Sequence, residues 1–530
     1  MAMLADEAAG VIFDMDGVVT DTASVHAAAW KRMFDAFLEA RSEATDVPVV
    51  PFDIESDYRR FVDGKPRNDG VRSFLASRGI SVPEGGPEDS PDAATVQGLG
   101  LRKNRYFLEG LHETGPRPYP STVELVHALA VEGLPSAVIS SSRNAKEVLE
   151  AAGLGRLFDV RVDGVVAADL GLAGKPHPAV FREAARRMGV AVPRAAVVED
   201  ALAGVQAGRD GGFCQVIGVD RTGDPEALRR AGADTVVTDL GELELPDRTW
   251  AGRRIDGLPS ALDHVGEIEV RLASRQLALF LDYDGTLTPI VDDPDRAILP
   301  ESAREAIRRL AALAPLAIVS GRDLAEVRRF VGIEGIWYAG SHGFDIVSPT
   351  GERHERIPEA LPTLESAERD LRPRLDPIPG ARLERKRYAI TAHYRQVAGD
   401  RIRDVEDAVA ATAATHPGLR PTGGKKILEL RPDIAWDKGR AIRWLLDTQG
   451  LDRRSVLPLY VGDDETDEDG FRAIGRPGIG IVVRGESDDR PTRALFALDR
   501  PAEVPVLLDL LREVIGRPRD RRCPGGSCDA

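Results

Sequence analysis

Three cysteines in 530 residues are too few for a disulfide scaffold. Cys214 lies in an apolar stretch and reads as a core residue. Cys523 and Cys528 flank Pro-Gly-Gly-Ser near the C-terminus, where a metal clip and a disordered end are the competing readings. No apolar run approaches transmembrane length, and the N-terminus lacks the basic-then-apolar pattern of a signal peptide. A reducing cytoplasm is therefore the expected location. Positive charge is not in excess either: 70 basic residues face 86 acidic ones, for a net charge of −16. That balance argues against nucleic acid or an anionic membrane as a partner. An anionic substrate would have to be held locally, by a metal and a few cations. There is no P-loop and no Gly-x-Gly-x-x-Gly after a strand, so nucleotide use is not expected. Lysine is scarce, with nine among the 70 basic residues, and each one is correspondingly informative.

What the chain does have is a repeated acidic signature. Phe13-Asp14-Met15-Asp16-Gly17-Val18-Val19-Thr20 returns 268 residues later as Leu281-Asp282-Tyr283-Asp284-Gly285-Thr286-Leu287-Thr288. Each copy follows a short apolar run that reads as a buried strand. Side chains two apart on an extended chain point the same way, and carboxylates so placed repel each other unless a cation lies nearby. The glycine that follows allows a sharp turn. The arrangement suits a hard metal ion together with an acid–base pair. Both halves then present the same order of groups. Ser140 ends Ala137-Val138-Ile139, Lys175 follows, and Glu199-Asp200 close Ala196-Val197-Val198. Ser320 ends Ala317-Ile318-Val319, Lys438 follows, and Asp463-Asp464 close Tyr460-Val461-Gly462. Strand ends of a parallel sheet meet at one crevice, where ligands bind.

Strands alternate with helices in both halves, which implies an α/β fold with parallel sheets covered by helices. Residues 302–313 carry the helical apolar period, with Ala303, Ile307, Leu310 and Leu313 on one face. The length calls for two or more domains. Ser140 lies 126 residues after Asp14, whereas Ser320 lies 38 after Asp282; from serine to lysine the inequality reverses, 35 against 118. Each half therefore carries one lid-sized insertion, at a different point. The first covers about residues 22–115 and is helical by pattern. The second covers about 344–434 and contains strand-like segments at 388–394 and 427–430. Lids of this kind exclude water and select substrates. The expected domains are 1–245 and 265–515, with a linker at 246–264 and a disordered tail at 516–530.

These motifs resemble the haloacid-dehalogenase-like (HAD) phosphohydrolase superfamily over nearly the whole chain. The resemblance implies two Rossmann-like cores, an aspartyl-phosphate intermediate and Mg2+ as cofactor. The first half resembles β-phosphoglucomutase through Phe13 to Thr22, His26, Gly64-Lys65-Pro66-Arg67, Arg102-Lys103-Asn104, Ser140 to Asn144, Gly174-Lys175-Pro176 and Glu199-Asp200. The second resembles trehalose-6-phosphate phosphatase through Leu281 to Leu287, Val319-Ser320-Gly321-Arg322, Gly340-Ser341-His342-Gly343, His393-Tyr394-Arg395, Gly424 to Glu429, Asp437-Lys438-Gly439 and Gly462 to Glu468.

In the second half the resemblance makes Asp282 the nucleophile and Asp284 the general acid and base. Ser320 and Lys438 would grip the phosphoryl group, and Mg2+ would sit on Asp282, the Asp284 carbonyl and Asp463, with Asp464 and Asp467 around it. Arg322, His342, Glu384, Lys386, Arg395, Lys425 and Glu429 would bind the sugar phosphate, and His342 has an alternative reading as a core or turn residue. In the first half Asp14 would carry the phosphoryl group and Asp16 would be the acid–base group. Ser140 and Lys175 would hold phosphate, and Mg2+ would lie among Asp14, the Asp16 carbonyl, Glu199 and Asp200. His26, Arg67 and Lys103 would come from the lid.

The resulting expectation is hydrolysis of trehalose 6-phosphate in trehalose biosynthesis. Three readings stand for the first half: a mutase acting on β-glucose 1-phosphate, a sugar-phosphate phosphatase, and a docking module for a partner enzyme. Its intact Asp14, Asp16, Ser140 and Lys175 argue against the last.

Overall fold

The apolar run before each acid pair forms a strand, Gly10–Asp14 and Gln276–Leu281, buried throughout except at Gln276. Aliphatic and aromatic residues on both faces are what the centre of a helix-covered parallel sheet requires. The computed structural model describes residues 2–45, 50–63, 65–246, 252–291, 294–424, 426–452, 454–485 and 488–517.

In the first half six parallel strands form one sheet. The Asp14 strand lies between Ser136–Ile139 and Ala195–Glu199; Val160–Val162 flanks one side, and Gln215–Val219 and Thr235–Val237 the other. Asp14 pairs with Ile139, and Phe13 with Val198. The loops bearing Ser140 and Glu199-Asp200 therefore leave the sheet at the same edge as Asp14. The insertion at 22–115 is helical as expected, with helices Ala23–Thr45, Arg67–Ser77 and Val96–Thr114. Phe34, Phe52 and Phe74 form its centre, with ring centroids 4.1 to 5.2 Å apart, a spacing at which aromatic pairs attract beyond their buried area. Cys214 is only half-buried, its thiol donating to the Ala195 carbonyl at 3.2 Å.

The second half repeats the arrangement in an eight-stranded sheet. The Asp282 strand is flanked by Leu316–Val319 and Val456–Gly462, with Leu281 paired to Ile318 and to Val461. At one edge Asp345–Val347 runs antiparallel to Trp337–Gly340, and Arg353–Glu355 runs antiparallel to Asp345–Val347 in turn, so this core is mixed rather than wholly parallel. It also claims residues expected in the insertion, which is correspondingly shorter than 344–434. The insertion's own sheet is antiparallel, in the order Arg382–Lys386, Ala389–His393, Ile427–Pro432 and Leu419–Gly424. Helices Leu361–Leu375 and Ile402–Thr415 pack on it through Leu364, Leu371 and Val405. The helix expected at 302–313 stops at Ala311, so Leu313 falls in the following turn and is 50% exposed rather than buried.

The chain divides into two compact units, but not at the expected linker. Among the described residues, one unit comprises 2–253, Asp263–Ser274 and Arg517; the other comprises Arg254–Leu262 and Arg275–Gly516. The segment 246–264 is thus split between them, and the second domain does not begin at 265. Burial explains the division. Ile255 and Leu258 pack into the second unit's core with Ala278 and Phe280. Helix Val265–Leu272 packs instead on helix Pro120–Val131 of the first unit, where His127 Nε2 donates to Glu267 at 2.7 Å and Arg271 donates to His127 Nδ1 at 2.8 Å. Burial, with Arg271 beside it, holds the His127 imidazole well below its usual pKa and therefore neutral. Residues 247–251 of the expected linker, and the tail from 518 with Cys523 and Cys528, lie outside the described residues.

Candidate active sites

Both acid pairs sit on the same turn. The Gly17 N–H donates to the Thr20 carbonyl and the Gly285 N–H to the Thr288 carbonyl, each at 2.8 Å. The two glycines have φ of +85° and +82°. A Cβ on Gly17 would lie 1.9 Å from Asp200 Oδ2, and one on Gly285 would lie 2.1 Å from Asp463 Oδ2. Glycine is needed both for the backbone and for the approach of a further carboxylate.

In the first unit Asp14, Glu199 and Asp200 converge, with ligand oxygens within 4.8 Å of one another. Lys175 Nζ donates to Asp14 and lies 3.1 Å from both oxygens of Glu199. Burial raises all three carboxyls, most strongly those of Glu199 and Asp200. Burial also disfavours the Lys175 ammonium, but Asp14 and Glu199 overcome it and hold its pKa above normal. Asp16 accepts from Thr22 and, at 3.3 Å, from Ser140. Against the effect of its burial, His26 and Thr22 bring Asp16 down to about 2. His26 in turn has Nδ1 2.5 Å from Lys103 Nζ. Lys103 is pushed down to about 7 by burial.

Asp14, Asp16, His26, Lys103, Lys175 and Asp200 line a cavity of about 520 Å³ together with Arg67 and Arg143. Arg67 is depressed by burial and by neighbouring Arg143, and its Nε is buried without a hydrogen-bond partner. Among the cavity residues not foreseen is Asp63, on the lid, pushed up to about 6 by burial and by Asp14. It lies outside the strand-end pattern that betrays the other acids.

In the second unit the converging carboxylates are Asp282, Asp463 and Asp467. Asp464, expected beside the metal, is not among them; it accepts instead from Thr466, whose N–H and hydroxyl donate at 2.9 and 2.7 Å. Strand register gives the reason. Val198 pairs with Phe13 and Val461 with Leu281, so Glu199 corresponds to Gly462 and Asp200 to Asp463. Gly462 has no side chain to offer, and a Cβ there would come within 2.4 Å of the Asp467 Cγ, which occupies the space. Conversely Gly204, five residues after Glu199, leaves room for that glutamate: its Cβ would lie 1.9 Å from Glu199 Oε1. One half supplies this carboxylate from a strand and the other from a helix. Lys438 then repeats Lys175, donating to Asp282 at 2.8 Å and to Asp467 at 2.7 Å. Asp437 fixes that lysine at a helix start by accepting the Arg440 N–H at 2.7 Å. Burial raises the Asp282 carboxyl well above normal, with Lys438 opposing and Asp467 adding to it.

Each cluster thus crowds three carboxylates together, two of them bonded to one lysine. Carboxylates so close repel strongly, and a hard divalent cation of the Mg2+ type fits the donor set.

Asp284 is engaged elsewhere. Arg322 grips it with two hydrogen bonds, Nε to Oδ2 at 2.7 Å and Nη2 to Oδ1 at 2.6 Å. Ser320 Oγ accepts the Arg322 backbone N–H at 3.1 Å. His342 has left-handed backbone, φ +56°, and donates its N–H to the Ser320 carbonyl at 2.8 Å. Burial and the nearby Arg431 hold its ring well below the usual histidine pKa.

Of the expected lid residues, Glu384, Lys386 and Glu429 lie on the lid sheet. Glu384 contacts His393 at 2.7 Å. Glu429 is 2% exposed and fully occupied: Lys386 at 2.8 Å, Thr391 at 2.7 Å and Arg431 Nε at 2.8 Å all donate to it. Arg395 is exposed in the segment after Ala389–His393, and Lys425 lies outside the described residues. A tie between lid and core was not foreseen: both oxygens of Asp323 accept the Arg387 backbone N–H at 2.9 Å, and one also accepts from Ser341 at 2.9 Å.

Residues 280–502 match the family described as trehalose-phosphatase, and residues 8–212 match the family described as haloacid dehalogenase-like hydrolase. The trehalose-phosphate phosphatase of Mycobacterium leprae is 45% identical over 403 residues, covering 73% of this chain and 91% of that protein. The trehalose-phosphate phosphatase of Mycobacterium tuberculosis is 48% identical over 332 residues, covering 62% and 84%. A Mycobacterium tuberculosis protein described as an uncharacterized glycosyl hydrolase is 43% identical over 507 residues, which is 94% of this chain; the chain spans 38% of that protein's length. No helix among the described residues is long and apolar enough to cross a membrane. Similarity at this level over nine-tenths of the Mycobacterium leprae protein means that the chain belongs to the trehalose-phosphatase family, with a haloacid dehalogenase-like hydrolase domain ahead of the phosphatase domain.

Proposed function

We propose that the second unit hydrolyses trehalose 6-phosphate to trehalose and inorganic phosphate. The observation that carries the reading is the convergence of Asp282, Asp463, Asp467 and Lys438 in a chain of this family. Asp282 attacks phosphorus while Asp284 gives a proton to the departing sugar oxygen. The phosphorus–oxygen bond to the sugar breaks and an aspartyl phosphate forms on Asp282. Water, deprotonated by Asp284, then attacks that phosphorus and restores Asp282. Ser320 and Lys438 hold the phosphoryl oxygens, over which charge spreads in the transition state.

Asp282, Asp463 and the Asp284 carbonyl would hold Mg2+, which when bound offsets the charge of nucleophile and phosphoryl group. Asp467 accepts from Lys438, Tyr460 and the N–H groups of Asp463 and Asp464, so it braces the site. Lys386 and Glu384 face the sugar from the lid, and Glu429 orients Lys386.

A second reading belongs to the first unit. A buried, unpartnered Arg67 Nε beside Arg143, in one cavity with Asp14 and Lys175, suits phosphoryl transfer on a sugar phosphate such as β-glucose 1-phosphate, by mutase or by phosphatase chemistry. With three cysteines and no apolar span in the sequence, both activities are suited to the cytoplasm.

The test is phosphate release from trehalose 6-phosphate by the whole chain in Mg2+. Asp282→Asn should abolish it while the fold persists, because the amide matches the carboxylate in size but is a poor nucleophile. Turnover close to wild type, with Asp14 also replaced, would overturn the assignment.

A further inference from the structure

We propose that Arg322 is a latch on Asp284 that opens when a phosphoryl group arrives; this rests on reading the second unit as a phosphohydrolase. In the structure the guanidinium occupies both oxygens of the carboxylate, at 2.7 and 2.6 Å. A fork-on-fork pair of this kind is among the stronger side-chain contacts. Each oxygen of Asp284 thus has one of its two lone-pair positions turned to the guanidinium, with which a leaving sugar oxygen or a water has to compete. Moving the arginine off frees the carboxylate to serve the leaving oxygen and then the water.

Its surroundings say where it goes. Arg322 is 8% exposed and its guanidinium lies over the rings of Tyr283 and Phe330, 5.5 and 5.0 Å from their centroids. The side chain is thus confined to a short travel. Its own N–H donates to Ser320 Oγ, so the guanidinium hangs from the loop that holds the phosphoryl group. A phosphoryl ester resting against Asp282, Ser320 and Lys438 brings two negative charges beside the guanidinium, where Asp284 offers one. Transfer of Arg322 to that group releases Asp284 when a leaving oxygen is present to take its proton.

Among the described residues Asp16 in the first unit is met by Thr22, Ser140 and His26, with no arginine among them, so the device belongs to the second site. The next residue, Asp323, accepts the Arg387 N–H from the lid, so one short loop carries both the latch and the lid's attachment.

Two measurements test this on the full chain carrying Asp282→Asn. The first is a crystal structure with Mg2+ and tungstate, a phosphoryl mimic. Arg322 should hydrogen-bond the tungstate and release at least one oxygen of Asp284. Persistence of both Arg322–Asp284 bonds with tungstate seated between Ser320 and Lys438 would overturn the proposal. The second is calorimetric binding of trehalose 6-phosphate with and without Arg322→Gln. Loss of a charge-assisted contact predicts binding roughly ten- to a hundredfold weaker, with trehalose itself unaffected. Equal affinity for the phosphate ester would refute the latch. The tungstate structure needs no change at Arg322, so it decides the matter even where the double variant fails to fold. Tungstate that draws Arg322 in a chain that does not bind trehalose 6-phosphate would uphold the latch and sink the substrate assignment.

Discussion

Glu429→Gln keeps the shape of the side chain but removes its charge and turns one acceptor oxygen into a donor. The glutamate is 2% exposed, and Lys386, Thr391 and Arg431 all donate to it. Taking away one partner of a buried ion pair costs about 3–5 kcal/mol, because the opposite charge is left without compensation. Here two cations lose their partner, while glutamine still accepts from Thr391, so a loss of about 3 kcal/mol is expected. Whole domains are stable by roughly 5–15 kcal/mol, so the urea midpoint should fall visibly.

The effect has a pH signature. Burial alone would raise the Glu429 carboxyl, but Lys386 and Arg431 hold it below the ordinary glutamate value of 4.5. Its contribution is complete above pH 4.5, where the unfolded carboxylate is charged, and is lost as the pH falls towards the lower folded value. The stability gap between wild type and variant should therefore shrink in acid. In activity assays kcat/KM for trehalose 6-phosphate should fall roughly ten- to a hundredfold as Lys386 loses its orientation. p-Nitrophenyl phosphate, which has no second sugar for the lid to grip, should be hydrolysed nearly as before. Equal damage to both substrates would refute the lid's role in reading the sugar, and an unchanged urea midpoint would refute the ion-pair reasoning.

Gly285→Ala should raise the Mg2+ requirement of trehalose 6-phosphate hydrolysis, because its Cβ would meet Asp463 Oδ2 at 2.1 Å on a backbone of φ +82°; a Mg2+ titration identical to wild type would contradict this. A fragment starting at Arg254 should hydrolyse trehalose 6-phosphate and outlast one starting at Ser260. The shorter piece lacks Ile255 and Leu258, buried side chains of a kind worth about 2–5 kcal/mol each when truncated to alanine. Equal melting temperatures for the two fragments would show that the segment is dispensable.

The order of acid pair, hydroxyl and amine could be read from the sequence because each group ends a short apolar run or, for lysine, stands out by rarity. The closing acids could not be read so directly. Glu199-Asp200 and Asp463-Asp464 look like counterparts, yet register moves the match by one residue, and the missing carboxylate arrives from Asp467 on the next helix. Gly462, at a strand end where the other half has glutamate, was the available signal. The lid strands at 388–394 and 427–430 were legible from their alternation, and the structure places them at Ala389–His393 and Ile427–Pro432. The strands Asp345–Val347 and Arg353–Glu355 fall within the span that sequence spacing gives to the lid, because nothing in three-residue segments tells a core edge from an insertion. The exchange of short segments near 254–274 left no pattern at all, since it depends on which core buries Ile255 and which helix receives Glu267.

The exchange of Glu199 with Gly204 for Gly462 with Asp467 makes each pair of positions a single unit of heredity. Introducing aspartate at 204 while Glu199 remains would force atoms to within 1.9 Å; losing Glu199 first would strip Lys175 of one of its two acidic partners. Neither intermediate is sound, so one arrangement cannot drift into the other by single substitutions. A graft that transplants the strand end of one half without the following helix would inherit either two carboxylates or none.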